Sequence, residues 1–207
     1  MTTIPDSHEN QKQISTLDFR NNQMLVIISY ALRALGAVIF GGLFYVAANA
    51  IHPDAGLTFE SLVTIAIDGV PDIVSIGLIV VAVIFVLWLH ELVHASVFYL
   101  HTGAPPRIGI RGPIIFASAE GYLNTRNAMM VNALAPFVVI SVLGLLLMAI
   151  APVTVLAWVF IPTVANAAAA GGDFMAVNWL NGLPHGTKIE DHGDLLIAYH
   201  ATKYTHQ

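Results

Sequence analysis

Cysteine is absent from the 207-residue chain, and charged side chains make up only 10% of it. The first absence excludes a disulfide framework and any thiolate metal site, so a bound metal ion would need His, Asp or Glu ligands. The second excludes an ordinary soluble domain, in which roughly 25% of residues are charged. With 57% hydrophobic residues, the composition is typical of a membrane protein. Nothing in the sequence indicates a nucleic-acid partner.

Four apolar segments are long enough to cross a bilayer core, which requires about 20 helical residues. They run from Met24 to Ile51, from Ile73 to Leu89, from about Ala128 to Ile150 and from about Val153 to Met175. The sequence therefore predicts an all-α membrane fold with four transmembrane helices. We expect a cytoplasmic N-terminal tail over 1–23, a transmembrane domain over 24–175 and a small cytoplasmic C-terminal tail over 176–207.

The distribution of basic residues predicts the orientation of these helices. Seven bases fall in the two tails and in the segment between the second and third helices: Lys12, Arg20, Arg107, Arg111, Arg126, Lys188 and Lys203. Arg33, inside the first helix, can extend its side chain back to the same face. The loop 52–72 has four acids and no base. By the positive-inside rule, both termini are predicted to be cytoplasmic, in a multi-pass protein of the cell membrane.

Two polar segments are predicted to contain strands. The first lies between the second and third helices, where Arg107 to Arg111 alternates and Ile114 to Phe116 is β-prone. This pattern predicts a short hairpin at the membrane interface, and a membrane-surface loop is an equally good interpretation. The second is the stretch from Lys188 to Ile197, whose pattern indicates strand, turn and strand. We expect it to cover the cytoplasmic mouth of the site described next.

The chemistry of the chain centres on His90-Glu91-Leu92-Val93-His94, near the end of the second apolar segment. Residues four apart share a helix face, so His90 and His94 can present two imidazole nitrogens to one zinc ion. In peptidases with this motif, the Glu takes a proton from the zinc-bound water and delivers it to the leaving amine. Ionisable groups inside a membrane helix are costly unless they are paired or liganded, which favours a functional interpretation.

A catalytic zinc site normally has a third protein ligand, and several residues are candidates. The position ten residues after His90 is Leu100, and His101 lies one residue beyond it. Glu120 is also available in the polar segment. Asp173 fits best, because it follows an apolar run and the pair Gly171-Gly172, whose missing side chains allow a neighbouring helix to approach closely.

Asn166 precedes Asp173 by seven residues, which is two helical turns, so the two side chains share a helix face. We predict that Asn166 either orients the site from behind through a hydrogen bond or donates one to an oxyanion. An amide that only joins two helices is an equally good interpretation of this residue.

The motif resembles the site-2 protease superfamily of intramembrane zinc metallopeptidases, and above all its small membrane zincin branch. Those proteins carry the His-Glu-x-x-His motif in one membrane helix and an Asp, often beside a Gly, in a later one. Four residues of this chain match that pattern one by one: His90, Glu91, His94 and Asp173.

The resemblance covers about residues 85 to 175. The stretch Asn132 to Pro136 is similar to the start of the family's intervening helix. The fuller family pattern has Leu-Asp-Gly where this chain has Gly172-Asp173-Phe174.

The resemblance implies a zinc metallopeptidase with one Zn²⁺ per chain, held by His90, His94 and Asp173, and with Glu91 as the catalytic base. Its expected substrate is a membrane protein or peptide, cut at the cytoplasmic leaflet. One alternative is a catalytically silent zinc-binding membrane protein that regulates or sequesters a partner. A transporter is a weaker alternative, because transport pathways place polar groups at several depths. No feature of the sequence predicts an oligomeric state.

Overall fold

The computed structural model describes residues 11–103, 107–111, 114–118 and 121–201. Helices dominate this part of the chain. Their bounds are α1 Gln23–Ile51, α2 Phe59–Val63, α3 Asp72–Thr102, α4 Arg126–Ile150, α5 Leu156–Ala169 and α6 Gly171–Asn181, with short 3₁₀ turns at Pro53–Ala55 and Val153–Val155.

Four helical segments of the described chain are long and apolar enough to cross a membrane, as the sequence predicts. They are Gln23–Ile51, Asp72–Thr102, Arg126–Ile150 and Val153–Asn181. The second extends well beyond Leu89, so the whole His90–His94 motif lies within it. Side chains such as Val38, Ile73 and Leu146 are exposed along these helices. Large exposed apolar side chains on long helices are expected where lipid is the solvent.

Strands occupy both segments for which they are predicted, and two further places. The strands are β1 Gln11–Asp18, β2 Arg107–Arg111, β3 Ile114–Ser118, β4 Asn124–Thr125, β5 Lys188–Asp191 and β6 Leu195–Ala201. The hairpin β2–β3 and the hairpin β5–β6 are both antiparallel, which confirms the two predicted strand pairs.

A four-stranded sheet in the order β1-β6-β5-β4 adds to the mostly helical fold that the sequence predicts. β1 pairs with β6 along most of its length, with Gln11 opposite Ala201 and Asp18 opposite Leu195. This pairing joins segments near the two ends of the chain. Because pairing partners so distant in sequence leave no local pattern, the sequence predicted the β5–β6 hairpin but not the sheet.

The described residues form two compact units. The first, here called the sheet unit, contains 11–29, 91–135 and 173–201 with the gaps given above. Its core joins the sheet to the ends of α3, α4 and α6 through Leu17, Phe98, Met129, Ala176, Leu180, Ile189, Leu196 and Ala198.

The second, the helical unit, contains 30–90 and 136–172. Its core is formed by Phe44, Ala48, Leu57, Leu62, Met148, Leu156, Phe160 and Ala167. Its helices approach closely at small residues. A Cβ added at Gly36 would lie 3.4 Å from Ala168 Cα, and one added at Gly144 would lie 2.3 Å from Thr163 Oγ1. The first distance is ordinary van der Waals contact, whereas the Gly144 crossing depends on the absence of a side chain, as is common where membrane helices pack.

The Gly144 crossing gives the first prediction. Gly144→Ala would force its Cβ into Thr163, so α4 and α5 must move apart, and we expect a loss of about 1–3 kcal/mol, typical of overpacking. The matched control is Gly42→Ala, because a Cβ at Gly42 meets nothing within 4 Å. Thermal unfolding in detergent measures both variants. Equal melting temperatures for the two would contradict the close crossing.

Candidate metal centre

His90 and His94 stand one turn apart on α3, in a helix otherwise made almost entirely of apolar residues. Their exposed fractions are 5% and 9%, so both imidazoles are buried. A buried imidazole needs partners for both ring nitrogens, because an unsatisfied polar group inside the protein is costly. The partner of Nδ1 in each ring therefore indicates which nitrogen carries the proton of the neutral ring.

His90 is held by Asn166 of α5. The distance from His90 Nδ1 to Asn166 Oδ1 is 2.9 Å, and Asn166 Nδ2 donates to the Pro136 carbonyl at 3.4 Å. A backbone carbonyl can only accept, so the amide of Asn166 turns its nitrogen to Pro136 and its oxygen to His90. The oxygen in turn requires the proton of His90 on Nδ1. This leaves the lone pair of His90 on Nε2.

His94 is held in the same way by a backbone group. Its Nδ1 lies 3.0 Å from the carbonyl oxygen of Asn132 on α4, which again can only accept. The proton of a neutral His94 ring therefore lies on Nδ1, and Nε2 carries the lone pair. Hydrogen bonds of this type to the far ring nitrogen are usual behind metal-binding histidines, where they fix the tautomer and the ring orientation.

Asp173 supplies the carboxylate. It lies in the first turn of α6, where the helix dipole favours an anion. The sequence instead predicts Asp173 at the end of a helix. The difference arises at Ala170, where α5 ends in a non-helical conformation before the Gly171-Gly172 pair begins the next helix.

The side chains of these three residues converge as a metal site requires. One ligand atom from each of His90, His94 and Asp173 lies within 4.8 Å of the others. The distance from His94 Nε2 to Asp173 Oδ1 is 3.4 Å. Two ligands bound tetrahedrally to zinc at about 2.1 Å are separated by about 3.4 Å, so this pair already has the required spacing. The donor set of two imidazoles and one carboxylate also suits zinc.

The other candidate ligands do not join this group in the described chain. His101 is exposed, and its Nδ1 donates to the Val97 carbonyl of its own helix at 2.8 Å. Leu100 has no ligating atom. Glu120 lies outside the described residues.

Glu91 follows His90 on α3 and is half-buried. Its charge acts on the carboxyl group of Asp191, at the end of β5, together with the charges of His94 and Asp173. Glu91 therefore lies within electrostatic range of both the His94–Asp173 pair and the sheet. A carboxylate beside a candidate metal site is a candidate proton acceptor.

Asp191 is a residue that sequence reasoning missed. It is buried, with 7% of its surface exposed, and its Oδ1 accepts a hydrogen bond from the Gly193 amide. Burial raises the pKa of Asp191 to about 7; the Gly193 hydrogen bond and His94 act in the opposite direction, and Asp173 and Glu91 add to the rise. No sequence signal marks Asp191 because its position depends on the fold of the sheet. Its neighbour Glu190 is also buried and accepts from the Gly121 amide at 3.1 Å.

Two imidazoles and a carboxylate on apolar helices define the candidate centre of a membrane metalloprotein. A family model described as Putative zincin peptidase matches residues 83–187, a range that contains both histidines, Glu91 and Asp173. Since this range is half of the chain, the protein belongs to that family. No curated protein and no solved structure matches the chain. Family membership implies zinc and, with the four apolar helices, indicates a membrane metallopeptidase.

The pKa of Asp191 gives a prediction about stability. The folded-state pKa lies above the ordinary value of 3.8, so the folded protein keeps this proton to a higher pH than the unfolded chain. The stability that Asp191 contributes is therefore complete below about pH 4 and is lost as the pH rises through about 7. Asp191→Asn stays neutral, so we expect its stability advantage over the wild type to grow from about pH 4 to about pH 7 and to stay constant above that.

Thermal unfolding of the chelator-treated protein in detergent, followed from about pH 5 to pH 8, measures this difference. The control is Asp54→Asn, which changes an exposed aspartate in the 3₁₀ turn after α1. If both variants follow the wild-type pH dependence in parallel, the Asp191 proton does not contribute.

Proposed function

We propose that this protein is an intramembrane zinc metallopeptidase of the site-2 protease type, which hydrolyses a peptide bond of a membrane protein or peptide at the cytoplasmic leaflet. The observation that carries the proposal is the pair of Nδ1 hydrogen bonds, from His90 to Asn166 and from His94 to Asn132. Both bonds leave Nε2 as the ligating atom, and Asp173 is already at ligand spacing from His94. Such preparation of buried side chains is expected of a metal site and is costly without one.

The depth of the ligands supports hydrolysis within the membrane. His94 lies eight residues before the end of α3 at Thr102, and Asp173 lies eight residues before the end of α6 at Asn181. At 1.5 Å per residue, each is about 12 Å from the end of its helix. If the two helices end at the same membrane surface, the two ligands share one depth inside the candidate spans, as a single site in one leaflet requires.

The four-stranded sheet supports the proposed topology. Its strands come from before α1, from between α3 and α4, and from after α6. A sheet cannot be divided by a bilayer, so these three segments lie on one side if the four helices span. The basic residues concentrate in the same three segments, which makes the cytoplasm the favoured side. The sheet-borne Asp191 lies within electrostatic range of His94, so we infer that water reaches the site from that side.

In this proposal each residue has a separate task. Zinc, when bound at His90, His94 and Asp173, supplies a water with a pKa lowered to about 7 and polarises the substrate carbonyl. Glu91 accepts the proton of the attacking water and returns it to the nitrogen of the leaving amine. The rings of His90 and His94 are kept in one orientation by their Nδ1 hydrogen bonds.

Of the two tasks considered for Asn166, the contacts favour orientation of His90. Its oxygen faces His90, its nitrogen faces the Pro136 carbonyl and its side chain has no exposed surface. We therefore predict that Asn166→Ala weakens zinc binding by about 10–100-fold, the usual effect of losing a hydrogen bond behind a metal ligand.

The zinc affinity of Asn166→Ala is measured by competition with a chromogenic chelator in detergent. The matched control is Asn178→Ala, which removes an exposed amide from α6. Wild-type zinc affinity in Asn166→Ala would exclude the orienting role. Wild-type affinity combined with a strong loss of peptide cleavage would favour the oxyanion interpretation instead.

The decisive test of the proposed function compares metal content and cleavage in the same preparations. We expect one zinc per wild-type chain, loss of zinc in His94→Ala, and full zinc without cleavage in Glu91→Gln. His101→Ala and Glu60→Gln are the matched controls, because both remove an exposed side chain of the same type. Elemental analysis gives the zinc content, and immunoblotting of a doubly tagged single-span reporter protein in proteoliposomes gives the cleavage.

Each outcome separates the candidate functions. Zinc that is retained, with no cleavage that depends on Glu91, would favour the zinc-binding regulator. A wild-type protein without metal after zinc supplementation would exclude the site and the enzyme together.

A further inference from the structure

Pro136 lies in the interior of α4, ten residues after the helix begins at Arg126. Proline is unfavourable there for two reasons: it has no N–H to donate to the carbonyl four residues earlier, and its ring pushes against that carbonyl. The carbonyl concerned belongs to Asn132. Pro136 is also among the fully buried side chains of the described chain, so its ring belongs to the packed interior.

The carbonyl released by Pro136 is the one that holds a candidate zinc ligand. Asn132 O accepts from His94 Nδ1 at 3.0 Å, and both residues are buried. In an unbroken helix this carbonyl would accept the N–H of residue 136 and would lie along the helix axis. The Asn132 carbonyl therefore faces His94 at the one position in α4 where no helical N–H is available to it.

The carbonyl of Pro136 itself has a related contact. It accepts from Asn166 Nδ2 at 3.4 Å, and Asn166 Oδ1 holds His90 Nδ1 at 2.9 Å. One proline thus stands behind both imidazoles, next to the acceptor for His94 and in contact with the acceptor for His90. A proline that served only to bend α4 for packing would not be required to occupy this position.

We propose that Pro136 is a positioning residue of the metal site: by withholding a backbone N–H, it keeps the Asn132 carbonyl available to His94 and so fixes the His94 tautomer that ligates through Nε2. This inference rests on the zinc site of the proposed function and assigns it a backbone component. His94 Nδ1 donates to the Asn132 carbonyl, and His94 Nε2 lies 3.4 Å from Asp173 Oδ1. The tautomer is set before any metal binds.

The test introduces the missing N–H. Pro136→Ala supplies a donor that competes with His94 for the Asn132 carbonyl, and alanine suits a helix better than proline does. We expect zinc affinity to fall about tenfold, as for other partners behind a metal ligand. In the zinc-free protein, the fraction of His94 with its proton on Nδ1 should also fall.

That fraction is read from the ¹⁵N chemical shifts of histidine-labelled protein in detergent, with the His94 signals assigned by their loss in His94→Ala. Pro162→Ala is the matched control, because Pro162 is also buried inside a membrane-candidate helix. In the wild type, Pro162 leaves the carbonyl of Trp158 without a helical N–H. The hydrogen bonds of His90 and His94 described above do not involve that carbonyl. We expect wild-type zinc affinity and an unchanged His94 tautomer in this control.

A second variant separates the missing N–H from the shape of the proline ring. Lactic acid introduced at position 136 gives an ester that has the methyl group of alanine but no N–H. If the N–H is what matters, this variant keeps the wild-type tautomer and zinc affinity while Pro136→Ala loses both. An ester variant as impaired as Pro136→Ala would overturn the proposal.

A wild-type tautomer and zinc affinity in Pro136→Ala would overturn it as well. These results remain separable from the proposed function. A wild-type protein that binds no zinc disproves the metal site, while the tautomer of the zinc-free protein still reports on Pro136.

Discussion

The structure depends on one constraint: two imidazole rings are buried among apolar helices, and each has one proton to donate and one lone pair to satisfy. In water this requirement has no consequence. Inside a bilayer-spanning helix every unsatisfied polar group is expensive. The Nδ1 protons are accepted by oxygens of α4 and α5, and His94 Nε2 lies 3.4 Å from Asp173 Oδ1. The irregular features of the helices can be understood from this requirement.

Those irregularities occur where the histidines need partners. α4 contains a proline four residues after the carbonyl that faces His94, and α5 has a fully buried Asn facing His90. The break after Ala170 starts a new helix, so that Asp173 lies in a first turn rather than a last one. Proline, buried amide and glycine pair would each weaken a helix designed only to span a membrane. Together they supply the acceptors and the carboxylate that the motif on α3 lacks.

The parts of this arrangement that the sequence predicted are those with a local pattern. His90 and His94 are four residues apart, a spacing that defines one helix face, and the four apolar runs correspond to the four candidate spans. The Asn132 carbonyl could not be predicted, because backbone groups are not visible in a motif and its use depends on a contact 38 residues away. Asp191 and the β1–β6 pairing were missed for the same reason: both depend on partners distant in sequence.

The same constraint applies to the site with and without a bound metal ion. With the ring protons committed to Asn166 and Asn132, His94 Nε2 and Asp173 Oδ1 are two acceptors 3.4 Å apart. Two acceptors cannot hydrogen-bond to each other, so a neutral ring can keep this spacing only if the Asp173 carboxyl group carries a proton that it donates to Nε2, or if a cation lies between the two atoms. Proton and metal ion thus compete for one position, and zinc binding must release the proton where one is held. Whether a proton or a cation lies between them, the two acceptors share one partner, so the same pair of side chains can hold either.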